Sequence, residues 1–435
     1  MKTRRFLSLI LLCAISFSLI ACGTAPNGGT VPGTGYTPAA LVGADLMAGV
    51  TPRAVEGKPV DKGFVSVHDG FAAKLFKSAF AEADGGNVLV SPLSVTLALA
   101  MTANGAKGQT LTEMERLLGG EMNVSQLNEY LKYYVANLYT GEKCKLNVAN
   151  SIWFRDDEAR LAVNTDFLQT NADYYGASAY KKPFDDQTLN EINGWVKENT
   201  DGMIDKIIEE ISPEAVMYLI NAIVFDSEWE SKYEDYDIEK RVFTAADGTV
   251  QKDIDFMHSY ENVYLEYKGA KGFKKQYSGG GYSFAAVLPP ENAGIAGYVA
   301  SLDGETLASL LGSARSADVS AYLPKFTFDY DINLNDTLKA MGMPTAFDPY
   351  AADLSGIGGS AGNLYIGNVI HKTHIEVDAR GTKAAAVTAV EIKDECAEIP
   401  SPEIKTVVLD RPFVFMILDN STGLPVFIGA VMSVG

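Results

Sequence analysis

From residue 62 to about residue 139 the apolar positions recur at helical spacing, whereas beyond about residue 215 they alternate or run together in short blocks. Phe64, Val67, Phe71, Leu75 and Ala79 fall on one face of a helix over Lys62–Glu82. Ser91-Pro92 opens a second helix, with serine as N-cap and proline in the first turn, and Gly105 closes it. Thr110 with Glu113 reads as a capping box for a third, and residues 125–139 form a fourth. Residues 146–154 alternate as a strand, and helices are expected over 164–175 and 188–200. Residues 215–225 are nearly all apolar, the pattern of a strand buried on both faces. Strands are then expected at 242–243, 257–267, 284–288, 319–328 and 364–377, with one helix at 334–341. The last strands are 405–409, 413–418 and 426–432. Early helices followed by many strands point to an α+β fold, and no internal repeat is visible.

One segment breaks the ordinary strand pattern. Ile375 and Val377 alternate with polar neighbours, and after Gly381 the chain enters a run of very small residues. At a period of two, one face carries Thr382, Ala384, Ala386 and Thr388, and the other carries Lys383, Ala385, Val387 and Ala389. The first face is small and uncharged, so it can enter a sheet between existing strands without steric conflict. A polar stretch follows at 391–402, then a second apolar run at 407–417. An exposed loop with a strand-competent base suggests strand insertion, a mechanical function.

Several separated motifs agree. They are NVLVSPLSVTLALAMTANGAKGQT from Asn87, INGWVKENTDGMI from Ile192, NAIVFDSEW from Asn221, LPKF at Leu323, MGMPTAF at Met341, ADLSGI at Ala352 and VVLDRPFVFMI from Val407. In this order and spacing the chain resembles the serpin family over about 370 residues, from Lys62 to the end. The resemblance implies a large central mixed β-sheet with additional sheets, about eight or nine helices, and an exposed reactive loop at about 379–404 within a domain of residues 62–435. It implies a hinge at Gly381, Thr382, Lys383, Ala384, Ala385, Ala386 and Thr388. It also implies a polar cluster of Ser91, Ser94, Asn221 and His371 beneath the main sheet, a latch that lets central strands part. Counting from the hinge glycine puts the scissile bond at Glu395-Cys396, with Lys393 and Asp394 as alternatives because the loop carries extra residues before Pro412. Lys383 stands where the family usually has glutamate, and Ala379 where an acidic residue is common. Trp229 reads as a packing aromatic near the top of the opening sheet, and Trp153 and Trp195 as core.

Composition changes the picture mainly at the N-terminus. Residues 1–21 have a charged start at Lys2, Arg4 and Arg5, then an apolar stretch over 6–20 that is too short for a stable membrane span. Leu19-Ile20-Ala21-Cys22 resembles a bacterial lipobox, which makes Cys22 the expected lipid attachment point after cleavage before it. Residues 22–61, rich in Gly, Pro, Thr and Ala, read as a flexible tether. The expected location is the outer side of a bacterial membrane, with contact to it through the lipid alone. Of four cysteines only Cys144 and Cys396 remain beyond these segments, which leaves no disulfide framework and a candidate reactive thiol in the loop. A net charge of -19 lacks the basic footprint of a nucleic-acid binder.

Enzyme motifs fail on context. Gly358-Gly359-Ser360-Ala361-Gly362 matches a nucleophile elbow, which needs a strand before it and a helix after it. Here a loop precedes and a strand follows. His371 and His374 fall on opposite faces of a strand, so they do not share a metal ion, and no metal or cofactor is expected. The expectation is therefore a monomeric, irreversible inhibitor of serine endopeptidases, with cysteine endopeptidases as the second target class. A non-inhibitory binding protein of the same fold is the alternative, and a cell-surface hydrolase the third reading.

Overall fold

The computed structural model describes residues 44–47, 49–157, 161–360, 364–382 and 404–434. Residues 1–22, the loop residues Lys383 to Ala386 and Thr388, and the candidate bond residues Lys393, Asp394, Glu395 and Cys396 lie outside that set. The described chain begins with β1 (Ala44–Asp45), α1 (Lys62–Glu82), β2 (Val88–Val90), α2 (Pro92–Ala103), α3 (Gly108–Gly119) and α4 (Val124–Ala136). There follow β3 (Cys144–Arg155), α5 (Thr165–Tyr175), β4 (Ser178–Lys182), α6 (Asp186–Asn199) and β5 (Met217–Glu228). Next come β6 (Ile238–Thr244), β7 (Val250–Tyr267), β8 (Ala270–Gln276), β9 (Tyr282–Leu288), α7 (Gly294–Ser301) and α8 (Gly304–Gly312). The rest is β10 (Arg315–Pro324), β11 (Phe326–Asn333), α9 (Asn335–Met341), β12 (Ile370–Val377), β13 (Gly381–Thr382), β14 (Lys405–Val408), β15 (Phe413–Asp419) and β16 (Pro425–Val431).

These strands form two sheets. The first has seven strands in the order β1-β4-β3-β5-β13-β12-β11, and it is mixed because β3 runs parallel to β4. The second follows β14-β10-β7-β8-β9-β15-β16-β2, with β6 beside β7. Every residue of β9, β15 and β16 is buried, so this hairpin region is the centre of the main core. Burying one large apolar side chain there contributes roughly 1.5–3 kcal/mol. A smaller core of Trp153, Ile192, Val196, Ile207, Ile208 and Ile220 lies under α6.

Local chemistry explains the element ends. Asp61 caps α1 by accepting from the Phe64 N–H, and Ser91 caps α2 by accepting from Ser94. The expected capping box at Thr110 and Glu113 does not form, because α3 starts earlier, at Gly108. Thr110 Oγ1 instead accepts from the Asp353 N–H, and Glu113 accepts from Thr345. The box lies one helix on, at Asn123 and Gln126. The single strand expected over 319–328 is two strands in different sheets. The Lys325 N–H still reaches the Asp255 carbonyl of β7 at 2.9 Å, and from Phe326 the chain pairs with β12 in the first sheet instead. Residues 364–369 precede β12 rather than extending it. The tether expected to reach residue 61 docks from Ala44 onward: β1 pairs with β4, and Arg53 meets Asp173 at 2.6 Å. Gly57 lies so close to α4 that a Cβ would fall 2.6 Å from the Tyr133 nitrogen.

Candidate functional site: the hinge between two central strands

β12 ends at Val377 and the chain reverses within three residues. Asp378 makes the turn by accepting from the Arg380 and Gly381 N–H groups at 2.8 and 3.1 Å, while its own N–H reaches the Gly381 carbonyl at 3.0 Å. Gly381 and Thr382 then form β13, which pairs with β12 at Val377 and with β5 at Ser227 and Glu228. Gly381 is required by proximity, since a Cβ there would lie 2.1 Å from the Ser227 carbonyl oxygen. Below this point β5 and β12 share no ladder with each other among the described residues.

Donors from the β5 side hold the turn. The Trp229 N–H reaches the Arg380 carbonyl at 2.8 Å, its indole Nε1–H reaches the Asp378 carbonyl at 2.9 Å, and the Tyr233 N–H reaches the Ala379 carbonyl at 2.9 Å. Ala379, at a position where an acidic residue is common in the family it resembles, is thus held through its backbone. Thr382 is 3% exposed and its Oγ1 shares a 2.6 Å hydrogen bond with the Tyr277 hydroxyl. Tyr277 stacks on Trp229 with centroids 4.5 Å apart, and Phe225 meets it edge-on. Burial raises both the Tyr277 and Tyr233 phenols above their ordinary range, so both stay protonated and neutral, and the Tyr233 hydroxyl accepts from Ser259 Oγ. A buried Lys275–Glu261 pair at 2.9 Å completes the floor, with the ammonium 4.3 Å from the centre of the Tyr233 ring.

Lower in the sheet, three of the four expected latch residues meet. His371 Nε2 accepts from the Ser91 N–H at 3.0 Å, and Ser91 Oγ donates to the Val426 carbonyl while accepting from the Ser94 N–H. Burial lowers the His371 pKa to about 4, so the ring is neutral and can accept. Asn221 is not joined to them. Its Nδ2 donates to Asn150 Oδ1 at 2.7 Å, Asn150 in turn donates to the Tyr175 carbonyl, and Asn221 Oδ1 has no partner. Asn221 and His371 face the same cleft between β5 and β12.

Of the expected site residues, Trp229, Gly381 and Thr382 lie together here; Tyr277, Tyr233, Asp378 and Asn150 were not among those expected. Asp378 had a legible signal, an Asp three residues before Gly381 in a short turn; the others act through contacts across distant elements. The glycine motif begins in a loop, where Gly358 bridges Val163. His371 is buried, whereas His374 bonds the exposed Asp329 at 2.7 Å from the opposite face. Cys144 is buried, and its thiol is pushed up by burial.

Comparison with known proteins gives a consistent result. The family model described as serpin (serine protease inhibitor) matches residues 66–434. An uncharacterized serpin-like protein of Thermococcus kodakarensis is 31% identical over 379 residues, covering 86% of each chain. Human alpha-1-antichymotrypsin is 30% identical over 375 residues, covering 84% of this chain and 87% of its own. Among solved structures, the thermophilic serpin tengpin in its native state has a TM-score of 0.84 at 48% identity, covering 90% of this chain and 99% of that one. Tengpin in its latent state has a TM-score of 0.77 at 46% identity, covering 87% and 100%.

Proposed function

The chain belongs to the serpin family, and on that premise we propose that it inhibits endopeptidases irreversibly, as a suicide substrate acting as a monomer. The loop is the bait. The nucleophile of the protease attacks the carbonyl of Glu395, the bond to Cys396 breaks, and an acyl-enzyme remains on the N-terminal half of the loop. That half then inserts between β5 and β12 as a new strand. From Gly381 to Glu395 it extends about 46 Å at ~3.3 Å per residue, drags the attached protease along the sheet and distorts it. The observation that carries the reading is β13, two residues already paired with both strands and with the Thr382 side chain turned inward. The better overlay on native than on latent tengpin supports taking this arrangement as the starting state.

Incubation with a panel of serine and cysteine proteases is the test. The expected product is a complex stable to SDS, formed with a glutamate-specific enzyme, and a released C-terminal peptide that begins at Cys396. Glu395→Arg is expected to redirect inhibition to trypsin-like enzymes, because a pocket built around one charge strongly penalises the opposite one. A peptide that starts at Asp394 would assign the bond to Lys393, and one that starts at Glu395 would assign it to Asp394. Clean cleavage without complex for every protease would leave the non-inhibitory reading.

We further propose that residues 1–21 are removed and that a lipid on Cys22 anchors the inhibitor on the outer side of a bacterial membrane. No helix among the described residues is long and apolar enough to cross a membrane. Cys22→Ala is expected to abolish incorporation of labelled fatty acid and to move the protein from the membrane to the soluble fraction. Labelling that persists in the variant would sink the anchor.

A further inference from the structure

The hinge is held in two different ways. The turn carbonyls of Asp378, Ala379 and Arg380 take N–H donors from Trp229 and Tyr233, and these bonds do not depend on the side chains of the turn. Beyond Arg380, among the described residues, the one hydrogen bond found for a side chain of β13 itself is between Thr382 Oγ1 and the Tyr277 hydroxyl. Both groups are buried, at 3% and 0% exposure, so no water stands ready to replace either partner. The tyrosine ring is fixed by Trp229 on its face and Phe225 at its edge, so the hydroxyl has a set position. β8, which leads to Tyr277, belongs to the second sheet, whereas Thr382 belongs to the first. The pair therefore ties the first inserted residue to a part of the molecule that insertion need not move.

We propose that Tyr277 is a positioning residue for inhibition, whose hydroxyl anchors Thr382 between β5 and β12 so that insertion extends a strand already begun. The inference rests on the inhibitory reading above. Insertion competes with deacylation of the acyl-enzyme, and the first residue to enter has the fewest ladder bonds to offset its ordering. With Thr382 already seated, that step precedes cleavage. Without the Tyr277 hydroxyl, the Thr382 hydroxyl is left buried and unpaired, which favours its leaving the sheet. The race then starts one step behind, and more protease escapes by deacylation. Attack on the scissile bond is untouched, because Tyr277 lies in the floor of the hinge and not in the bait.

The experiment compares Tyr277→Phe, Thr382→Val, the double variant and Thr382→Ser, measuring the moles of inhibitor consumed per protease trapped and, separately, the rate of loop cleavage. Tyr277→Phe and Thr382→Val are each expected to raise the turnover fraction about fivefold, the change that corresponds to one hydrogen bond of ordinary net strength, ~1 kcal/mol. The double variant should be no worse than either single one, and Thr382→Ser, which keeps a hydroxyl, should stay near the parent protein. The cleavage rate should not change, which separates positioning from general loss of structure. In the absence of protease, Tyr277→Phe should speed amide hydrogen exchange in the segment 378–382 while leaving β3 unchanged. Unchanged partitioning in both single variants, or additive effects in the double one, would overturn the proposal. If the parent protein is cleaved without forming a complex, the inhibitory reading falls and the positioning role in inhibition falls with it. Hydrogen exchange in that case still decides whether the hydroxyl pair holds the hinge.

Discussion

Cleavage within residues 390–399 is expected to raise the melting temperature by on the order of ten degrees or more. The reason lies in the two edges that flank β13. β5 is fully paired with β3 on one side, but on the other side its ladder among the described residues is confined to Ser227 and Glu228. β12 is paired with β11 along its whole length and with β13 at Val377. An inserted strand that continues from Thr382 would complete both ladders. Each added hydrogen bond is worth ~1 kcal/mol net, and a strand of this length adds on the order of ten. At ~2.1 cal/mol/K of unfolding entropy per residue, ~1 kcal/mol moves the melting temperature of a domain spanning residues 62–435 by roughly 1.3 °C, so the sum is on the order of ten degrees or more. The intact protein is then held by a kinetic barrier, with strand pairing withheld until the loop is cut. Calorimetry before and after verified loop cleavage measures this directly. Superimposable melting curves would mean that the cut loop does not insert, and would favour the non-inhibitory alternative.

What could be read from sequence depended on whether the stabilising contact was local. The bounds of α1 were legible because its cap, Asp61, and its apolar face lie within one short stretch. α2 is buried on nearly every side, so periodicity says little about it, and only Ser91-Pro92 marks its start. β8 was missed because Lys271, Lys274 and Lys275 interrupt the apolar pattern. Lys275 is nevertheless buried, through a pairing with Glu261 that no local rule anticipates. α7, with glycines at 294 and 297, resembled a loop in composition. The docking of residues 44–61 depends on Arg53 finding Asp173, 120 positions away, and on one glycine fitting against α4. The same division holds at the hinge. Its small-residue face was visible in the chain, but the Tyr277 hydroxyl that meets Thr382 is 105 positions distant and follows directly on β8, whose lysines hide it in the sequence pattern. Among the latch residues, the grouping of Ser91, Ser94 and His371 follows the resemblance, whereas Asn150 captures Asn221 because the two are direct cross-strand partners.

Thr382→Arg is expected to convert the protein from inhibitor to substrate. At 3% exposure, Thr382 sits among Tyr277, Ser227 and Val377, all buried. An arginine there would have to bring its guanidinium into this floor or keep β13 out of the sheet. Burying the charge without a partner costs several kcal/mol. The nearest carboxylate on the adjoining strand, Glu228, already meets Lys143 and Lys232, so it offers no free counter-charge. Every ~1.4 kcal/mol slows insertion about tenfold relative to deacylation, and a penalty of this size hands the race to deacylation. The loop should still be cut at the parent rate, while the yield of complex falls to near zero. This is a much larger effect than loss of the Tyr277 hydroxyl, because it adds an unpaired charge rather than removing one hydrogen bond. Lys383→Glu is the control: at a period of two its side chain faces away from the floor after insertion, so complex yield should change little. Gel analysis of both variants against the same protease decides it. An undiminished yield with arginine at 382, or a collapse with glutamate at 383, would show that the inward register begins one residue later than proposed.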